Sequence, residues 1–268
     1  MAADLHTFVV PAYGDSPYLE ECLRSLQAQS MQSRIVLCTS TPSRIIDAAA
    51  DRFGVPVLVN PHRQGMAEDW TFAYRAAETP YVTLAHQDDR YLPDYNATLV
   101  RTLERAGDSL LGFSDYAEII GGEWRVHRVN LWIKRAMLRG TFLFSSVIRA
   151  RFRKRLGLSL GCPICCPSVM FHKQRIGDIH FDSAYRFVVD WEAWLRLSER
   201  EGAFVYVPRR LLGHRLHHET ETTRRTQGTE RLREELEMLS KFWPASVAWM
   251  LLLGYRLGHR SNRAGNIS

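Results

Sequence analysis

The sequence predicts an α/β protein: a mostly parallel central sheet flanked by helices, with a helical C-terminal extension. Two observations carry this. Short apolar runs alternate with amphipathic helical patterns from Thr7 to Ala85, as expected of strands joined by helical crossovers. Beyond Glu230 a periodic helical stretch gives way to an apolar and then basic tail.

Thr7–Val10 is a short apolar run ending at Pro11, and reads as a buried strand. A helix follows, with Ser16 as N-cap, Pro17 at the first helical position and Glu20 and Glu21 near its positive end. Its apolar residues Leu19, Cys22, Leu23 and Leu26 share one face. Ile35–Cys38 is the second strand, Ser43–Phe53 a helix stopped by Gly54, and Val55–Val59 the third strand. Ala67–Ala77 is helical, and the strand Tyr81–Ala85 runs straight into His86-Gln-Asp-Asp89. Further on, the patterns give strands at Leu110–Ser114 and Ser168–Phe171 and helices at Leu131–Leu138 and Asp190–Arg200. Strands at Phe204–Val207 and Leu211–Leu216 and a helix at Glu230–Phe242 complete the series. The expected division is a domain over residues 1–225, in two parts (1–120 and 121–225), and an extension over 226–268.

With 46% hydrophobic and 24% charged residues in 268, the composition is globular and excludes a wholly disordered chain. A net charge of +6 points to an anionic partner. The basic residues cluster at Arg149–Arg155, at Arg209, Arg210 and Arg215, and at Arg256, Arg260 and Arg263. They lack interleaved aromatics or a recognition element, which argues against nucleic acid. Five cysteines without a secretory signal point to reduced thiols and a cytoplasmic setting. The apolar run Val247–Leu253 is far shorter than the ~20 residues that span a bilayer.

Ligands of such sheets bind beyond the carboxyl ends of the strands, so Tyr13, Asp15, Thr39, Ser40 and His86–Asp89 are the residues to weigh. Asp88 and Asp89 are adjacent carboxylates behind a buried strand. They repel each other unless a cation or a set of donors compensates, and a magnesium ion that also holds phosphates would do so. The alternatives are a helix cap or pairing with Arg90. Asp190 opens the segment Asp-Trp-Glu-Ala-Trp-Leu-Arg, as an N-cap or as a general base for a hydroxyl, with Glu192 the weaker choice. Strand alternation puts Arg215 and His217 on one side, suited to a diphosphate or its metal. Cys162-x-x-Cys165-Cys166 has no second pair, so a structural role outweighs zinc.

In this order the motifs resemble the family 2 glycosyltransferases, which have the Rossmann-like GT-A fold. They are Val9-Val-Pro-Ala-Tyr13 at the first strand, the acidic pair after a later strand, the Asp190 helix, and Arg215-x-His217 followed by threonines. The resemblance covers about residues 6–223 and implies an inverting enzyme of the bacterial surface-polysaccharide type. Such an enzyme uses a nucleotide diphosphate sugar and a Mg2+ or Mn2+ ion, and its acceptor is a glycan or a lipid-linked molecule. It further implies that residues 1–120 bind the nucleotide sugar and residues 121–225 form the acceptor side. Carried over by position, Pro11, Ala12, Tyr13 and Thr39 border the nucleotide, and Asp69 helps to hold it. Asp88 binds the metal-diphosphate with Asp89 beside it, Asp190 is the base, His217 binds metal or diphosphate, and Arg215 lies next to it. Two departures stand out. His86 replaces the first acid of the Asp-x-Asp signature, and Thr39-Ser40-Thr41 replaces the acidic cluster that reads the base.

A nucleotidyltransferase would carry a Gly-rich basic loop, whereas Pro11–Pro17 has no lysine or arginine. A non-catalytic nucleotide-sugar module is favoured by His86 and opposed by Asp88, Asp190 and His217. Finally, Phe242, Trp243, Trp249 and Met250–Leu253 precede Arg256, His259, Arg260 and Arg263. That is the pattern of a segment lying on an anionic membrane, or else of a helix packed on the domain.

Overall fold

Along β1 (His6–Ala12), Phe8, Val10 and Ala12 belong to one hydrophobic core and Val9 to another. A strand apolar on both faces needs cover on both, which places it inside a sheet sandwiched by helices. The computed structural model, which describes residues 4–62, 65–216 and 221–253, has that arrangement.

The first half follows in order as α1 (Leu19–Gln27), β2 (Arg34–Thr39), α2 (Arg44–Phe53), β3 (Val57–Val59), α3 (Met66–Ala76) and β4 (Tyr81–Leu84). Next come β5 (Arg90–Tyr91), α4 (Tyr95–Ala106), β6 (Ser109–Ile120), β7 (Glu123–Arg125), α5 (Val129–Thr141), β8 (Val147–Ile148) and α6 (Arg151–Leu156). The chain continues through β9 (Val169–His172), α7 (Lys173–Ile176), α8 (Val189–Ser198), β10 (Ala203–Arg215) and α9 (Glu221–Ser240). Residues 245–253 form one more helical segment.

Ten strands make one sheet in the order β3-β2-β1-β4-β9-β6-β10-β5, with β7 on β6 and β8 on β10. β1 runs parallel to β2 and β4, β2 to β3, and β10 to β6. β9 is antiparallel to both its neighbours, so it reverses direction between two blocks of co-directional strands. α1, α2 and α4 cover one face; α3, α8 and the end of α9 cover the other. The fold is the mostly parallel α/β sandwich the sequence predicts.

Local corrections have local causes. α1 starts at Leu19, with Tyr18 at its N-cap and no side-chain cap; the Ser16 hydroxyl accepts from Tyr18 N at 3.2 Å, in the turn before the helix, and donates to Asp88. Ser43 does cap α2, accepting from the Ile46 amide, and Gly54 ends it at φ +62°. The two strands expected at Phe204–Val207 and Leu211–Leu216 are one, β10, carried past Pro208 by register shifts against β6. α9 begins at Glu221, earlier than the apolar periodicity indicates, and ends at Ser240. Phe242 and Trp243 turn inward: Phe242 stacks on Trp191 at 6.4 Å, and Trp243 Nε1 donates to Ser159 O at 2.8 Å. Arg256, His259, Arg260 and Arg263 lie outside the described residues. Among the described residues no helix is long and apolar enough to cross a membrane.

The turn into β10 is tight. Gly202 has φ +116°, and a Cβ there would meet Asp108 O at 2.7 Å and Leu110 Cγ at 2.8 Å. Gly202→Ala is therefore expected to cost about 2 kcal/mol or more, read as a fall of several degrees in Tm.

Candidate functional site

The carboxyl ends of β1, β2, β3 and β4 open onto one side of the sheet, and short polar loops leave them. At β1, Pro11 is half-buried, Ala12 is buried and the Tyr13 ring is 56% exposed. The Tyr13 backbone is fixed on both sides by Gln87, whose Oε1 accepts from Tyr13 N at 3.2 Å and whose Nε2 donates to Tyr13 O at 2.9 Å. At β2, the buried Thr39 hydroxyl accepts from Thr41 N at 3.0 Å, and Thr41 Oγ1 accepts from Gly14 N at 2.8 Å. Asp69, in the first turn of α3, joins two strand ends by accepting from Ser40 Oγ at 2.9 Å and Asn60 Nδ2 at 3.0 Å. Pro11, Ala12, Tyr13, Thr39 and Asp69 thus border one polar rim, although they span 58 positions of sequence (69 − 11).

The two acids after β4 have different surroundings. Asp89 is 1% exposed, and its carboxylate accepts from His214 Nδ1 at 3.0 and 3.2 Å and from Arg215 N at 2.8 Å. Asp88 is half-buried, takes the Ser16 hydroxyl on its carboxylate, and gives its carbonyl to Arg215 Nε at 2.9 Å. The Arg215 guanidinium also donates to Glu21 Oε2 at 2.7 Å and lies 3.9 Å from the centre of the Tyr18 ring. Arg215 therefore fastens β10 to α1 and to the acidic loop. His86, packed 5.1 Å from Trp70, has a buried Nε2 without a hydrogen-bond partner. Burial pushes its pKa down to about 4, with the charge on Asp89 opposing, so the ring is neutral near pH 7.

Asp190 stands in the first turn of α8. Its Oδ1 accepts from Trp191 N at 2.8 Å and Cys162 Sγ lies 3.8 Å from its Oδ2. Burial raises its pKa above the ordinary carboxylate value, with the Trp191 amide and the charge of Lys134 opposing. A base so tuned holds a proton more firmly than a solvated carboxylate does. Lys134 on α5 donates to Tyr116 Oη at 3.1 Å, and its charge acts on both Asp190 and His214. Buried Cys165 feels both Asp89 and Asp190. Asp89 is thus linked through His214, whose ring centre lies 6.2 Å from that of Tyr116, to Lys134, whose charge also acts on Asp190, 101 positions away (190 − 89). Burial pushes the Cys162, Cys165 and Cys166 thiols well up, so they stay neutral.

His217 lies outside the described residues. Among the described residues no three His, Cys, Asp or Glu side chains converge as a metal cage. Asp88, with the neutral His86 ring two positions before it, is a sparse donor set. It fits a hard ion that arrives with the phosphates, because magnesium draws only one or two ligands from protein in such sites.

Lys134 and His214 escaped the sequence reading. Lys134 sits in a helix with no motif, and His214 precedes the Arg-x-His element by one residue. The alternating pattern of β10 was the only signal for His214.

A family profile described as "Glycosyl transferase family 2" matches residues 7–174. Sequence comparison with curated proteins gives no match. Among solved structures, TarS 1–349 from S. aureus superposes with a TM-score of 0.62 at 12% identity, over 96% of this chain and 72% of that one. A form of TarS 1–349 in complex with UDP-GlcNAc gives 0.60 at 13% identity, over 96% and 73% of the two chains. A mannosyltransferase from Pyrobaculum calidifontis, in complex with GDP-Man and Mn2+, gives 0.61 at 15% identity, over 92% and 69%. Glucosyl-3-phosphoglycerate synthase from Mycobacterium tuberculosis gives 0.61 at 18% identity, over 89% and 80%.

The Asp89–His214 pair has a pH signature. Burial favours the neutral forms of both, but each partner's charge and their hydrogen bond outweigh it, so His214 is raised and Asp89 lowered. The raised His214 contributes stability that is complete below its unfolded pKa of ~6.5 and lost as pH climbs through the folded value. The lowered Asp89 contributes stability that is complete above ~3.9 and lost as pH falls through its folded value. Asp89→Asn should therefore be most destabilising between about pH 4 and pH 6.5, and less so in alkali. Urea titrations of both proteins across that range check this.

Proposed function

The chain belongs to glycosyl transferase family 2, and from that premise we propose that it is an inverting enzyme with Asp190 as its general base. It moves a sugar from a nucleotide diphosphate donor to a hydroxyl of a glycan or lipid-linked acceptor. The observation that carries this is a half-buried, proton-avid carboxylate in the first turn of α8 under the charge of Lys134, which through Tyr116 neighbours the His214 that holds the acidic loop after β4.

In this reading residues 1–120 hold the donor and 121–225 the acceptor side. The exposed Tyr13 ring stacks on the nucleobase, while Pro11, Ala12 and Thr39 border it. Asp69, pinned by Ser40 and Asn60, receives the ribose or base edge in place of the missing acid cluster. Asp190 takes the proton of the acceptor hydroxyl as its oxygen attacks the anomeric carbon, and the nucleoside diphosphate leaves from the opposite face, which inverts the linkage. Lys134 and protonated His214 put positive charge beside the departing diphosphate. A divalent Mg2+ or Mn2+ ion, held by Asp88 and, as the resemblance implies, by His217, would offset the leaving charge when bound. Asp89 serves beside it by fixing the loop, and Arg215 supports donor binding through the same loop. The neighbour solved with GDP-Man and Mn2+ supports this assignment of the cofactor. Five free thiols support placement on the cytoplasmic side, and a role in bacterial surface polysaccharide is what the resemblance of the motifs implies.

Asp190→Asn is expected to lower kcat by roughly a hundredfold or more, with donor affinity held within about twofold by titration calorimetry. A collapse of donor binding would make Asp190 a structural residue. In wild type, the acid limb of kcat should titrate above the ordinary carboxylate range, following the raised Asp190. Asp88→Asn should remove metal-dependent thermal stabilisation by nucleoside diphosphates while leaving the apo Tm close to wild type. Metal-dependent stabilisation that survives in this variant would reject the assignment.

A further inference from the structure

The second half of the chain is segregated in charge. Between Trp124 and Gly177 there are twelve Lys and Arg and no Asp or Glu, in a chain whose net charge is +6. The remainder is therefore net acidic.

The same span exposes its apolar residues. On α5, Val129, Trp132, Ile133 and Ala136 recur at helical spacing and all are exposed, Trp132 at 70%. The stripe that α5 turns to the core is shorter, Leu131 and Leu138. The connection after α5 continues the exposed face with Leu143 and with Phe144, which is 87% exposed. α6 then adds Phe152 and Leu156, one turn apart and both outward. The two helices touch where Arg153 donates to Thr141 O at 2.8 Å. Beyond α6 lies a groove of about 250 Å³ lined by Phe152, Leu156, Phe242 and Trp243, and Trp249 and Met250 are exposed in the helical segment that follows. Exposed Arg139 stands on α5 in no ion pair among the described residues, and Arg151 flanks α6 with a loose 3.7 Å contact to Glu201.

We propose that this face of α5, the 143–144 connection and α6 seats the protein on an anionic lipid bilayer. Arg128, Arg135, Arg149 and Arg155 pair with acids from outside the span, which leaves Arg139 and the loosely held Arg151 as the charges beside the exposed apolar side chains. Aromatic and aliphatic side chains next to such cations match an interface of acyl chains under anionic headgroups. A protein partner would have to combine an apolar surface with acidic groups at the same spacing, whereas a bilayer offers both everywhere. α5 also reaches the candidate site: its Lys134 donates to Tyr116 Oη at 3.1 Å, and the charge of Lys134 acts on Asp190. One helix thus borders both the membrane and the acceptor side, so the acceptor is a lipid-linked molecule that never leaves the bilayer. The acceptor class rests on the glycosyltransferase reading; the membrane contact does not.

Cosedimentation of the full chain with vesicles of phosphatidylcholine alone, and with phosphatidylglycerol added, tests the contact without any assay of transfer. Wild type should pellet with the anionic vesicles only, and less at high salt. The triple variant Trp132→Ser, Phe144→Ser, Phe152→Ser changes exposed side chains. It should keep the wild-type Tm and lose tenfold or more in vesicle binding. Arg139→Ala should lose roughly fivefold at low salt. Trp249→Ser with Met250→Ser should have a smaller effect than the triple variant. The proposal is overturned if folded wild type ignores anionic vesicles, or if the triple variant pellets as wild type does. It is equally overturned if the loss belongs to Trp249 and Met250 alone, or if sedimentation velocity shows the face closed in a dimer that the triple variant dissolves. Binding of a single-stranded RNA by wild type with no binding of vesicles would replace the bilayer with nucleic acid.

Discussion

A carboxylate buried like Asp89 tolerates its charge only when donors surround it. Here the donors are the His214 ring and the Arg215 amide, which meet it at the end of the last strand. That requirement welds the loop after β4 to β10 and sets the position of Asp88, whose carbonyl is held by the same arginine. Arg215 then reaches Glu21 on α1, so three segments distant in sequence are locked together. The loop that carries Asp88 is therefore pre-shaped by its neighbour rather than by a ligand.

At Asp190 the tuning is reversed. Asp190 has one backbone donor within its own turn and a thiol beside it, and burial rather than pairing sets its proton affinity. Neutral cysteines around it keep the site apolar without introducing a competing charge. Two aspartates of the candidate site thus have opposite proton affinities, Asp89 lowered by a histidine and Asp190 raised by its surroundings. Environments that push two acids apart in this way suit one for a fixed charge and the other for moving a proton.

The sheet also divides the labour between chain halves. β1 to β4 present their loops in the regular order of a crossover fold, and that half forms the polar rim. β9 reverses direction and lets β6 and β10 rejoin the sheet from the far side. This brings the acid-free, strongly basic span into the same body as the acidic loop. α5 lies across this junction, with Leu131 in one core and Leu138 in the other.

What the sequence determined by itself was periodic and local. The apolar run of β1, the Gly54 stop of α2, and the apolar face of α1 all depend on neighbours within a few residues, and the structure has them as read. The polar residues just past the strand ends were legible for the same reason, because a parallel sheet fixes where its loops gather. Tertiary structure decided the rest. Nothing local distinguishes Asp88 from Asp89, yet a partner 125 positions away buries one and leaves the other half-open. Nothing local gives the Ser16 proton its acceptor, since the Asp88 carboxylate that takes it is 72 positions on. In α5, both apolar stripes satisfy a helical period equally well, and only the packing of the sheet decides which one faces the core. Hydrophobic spacing specifies that a face exists; the contacts that bury it, or leave it outward, are made by the whole chain.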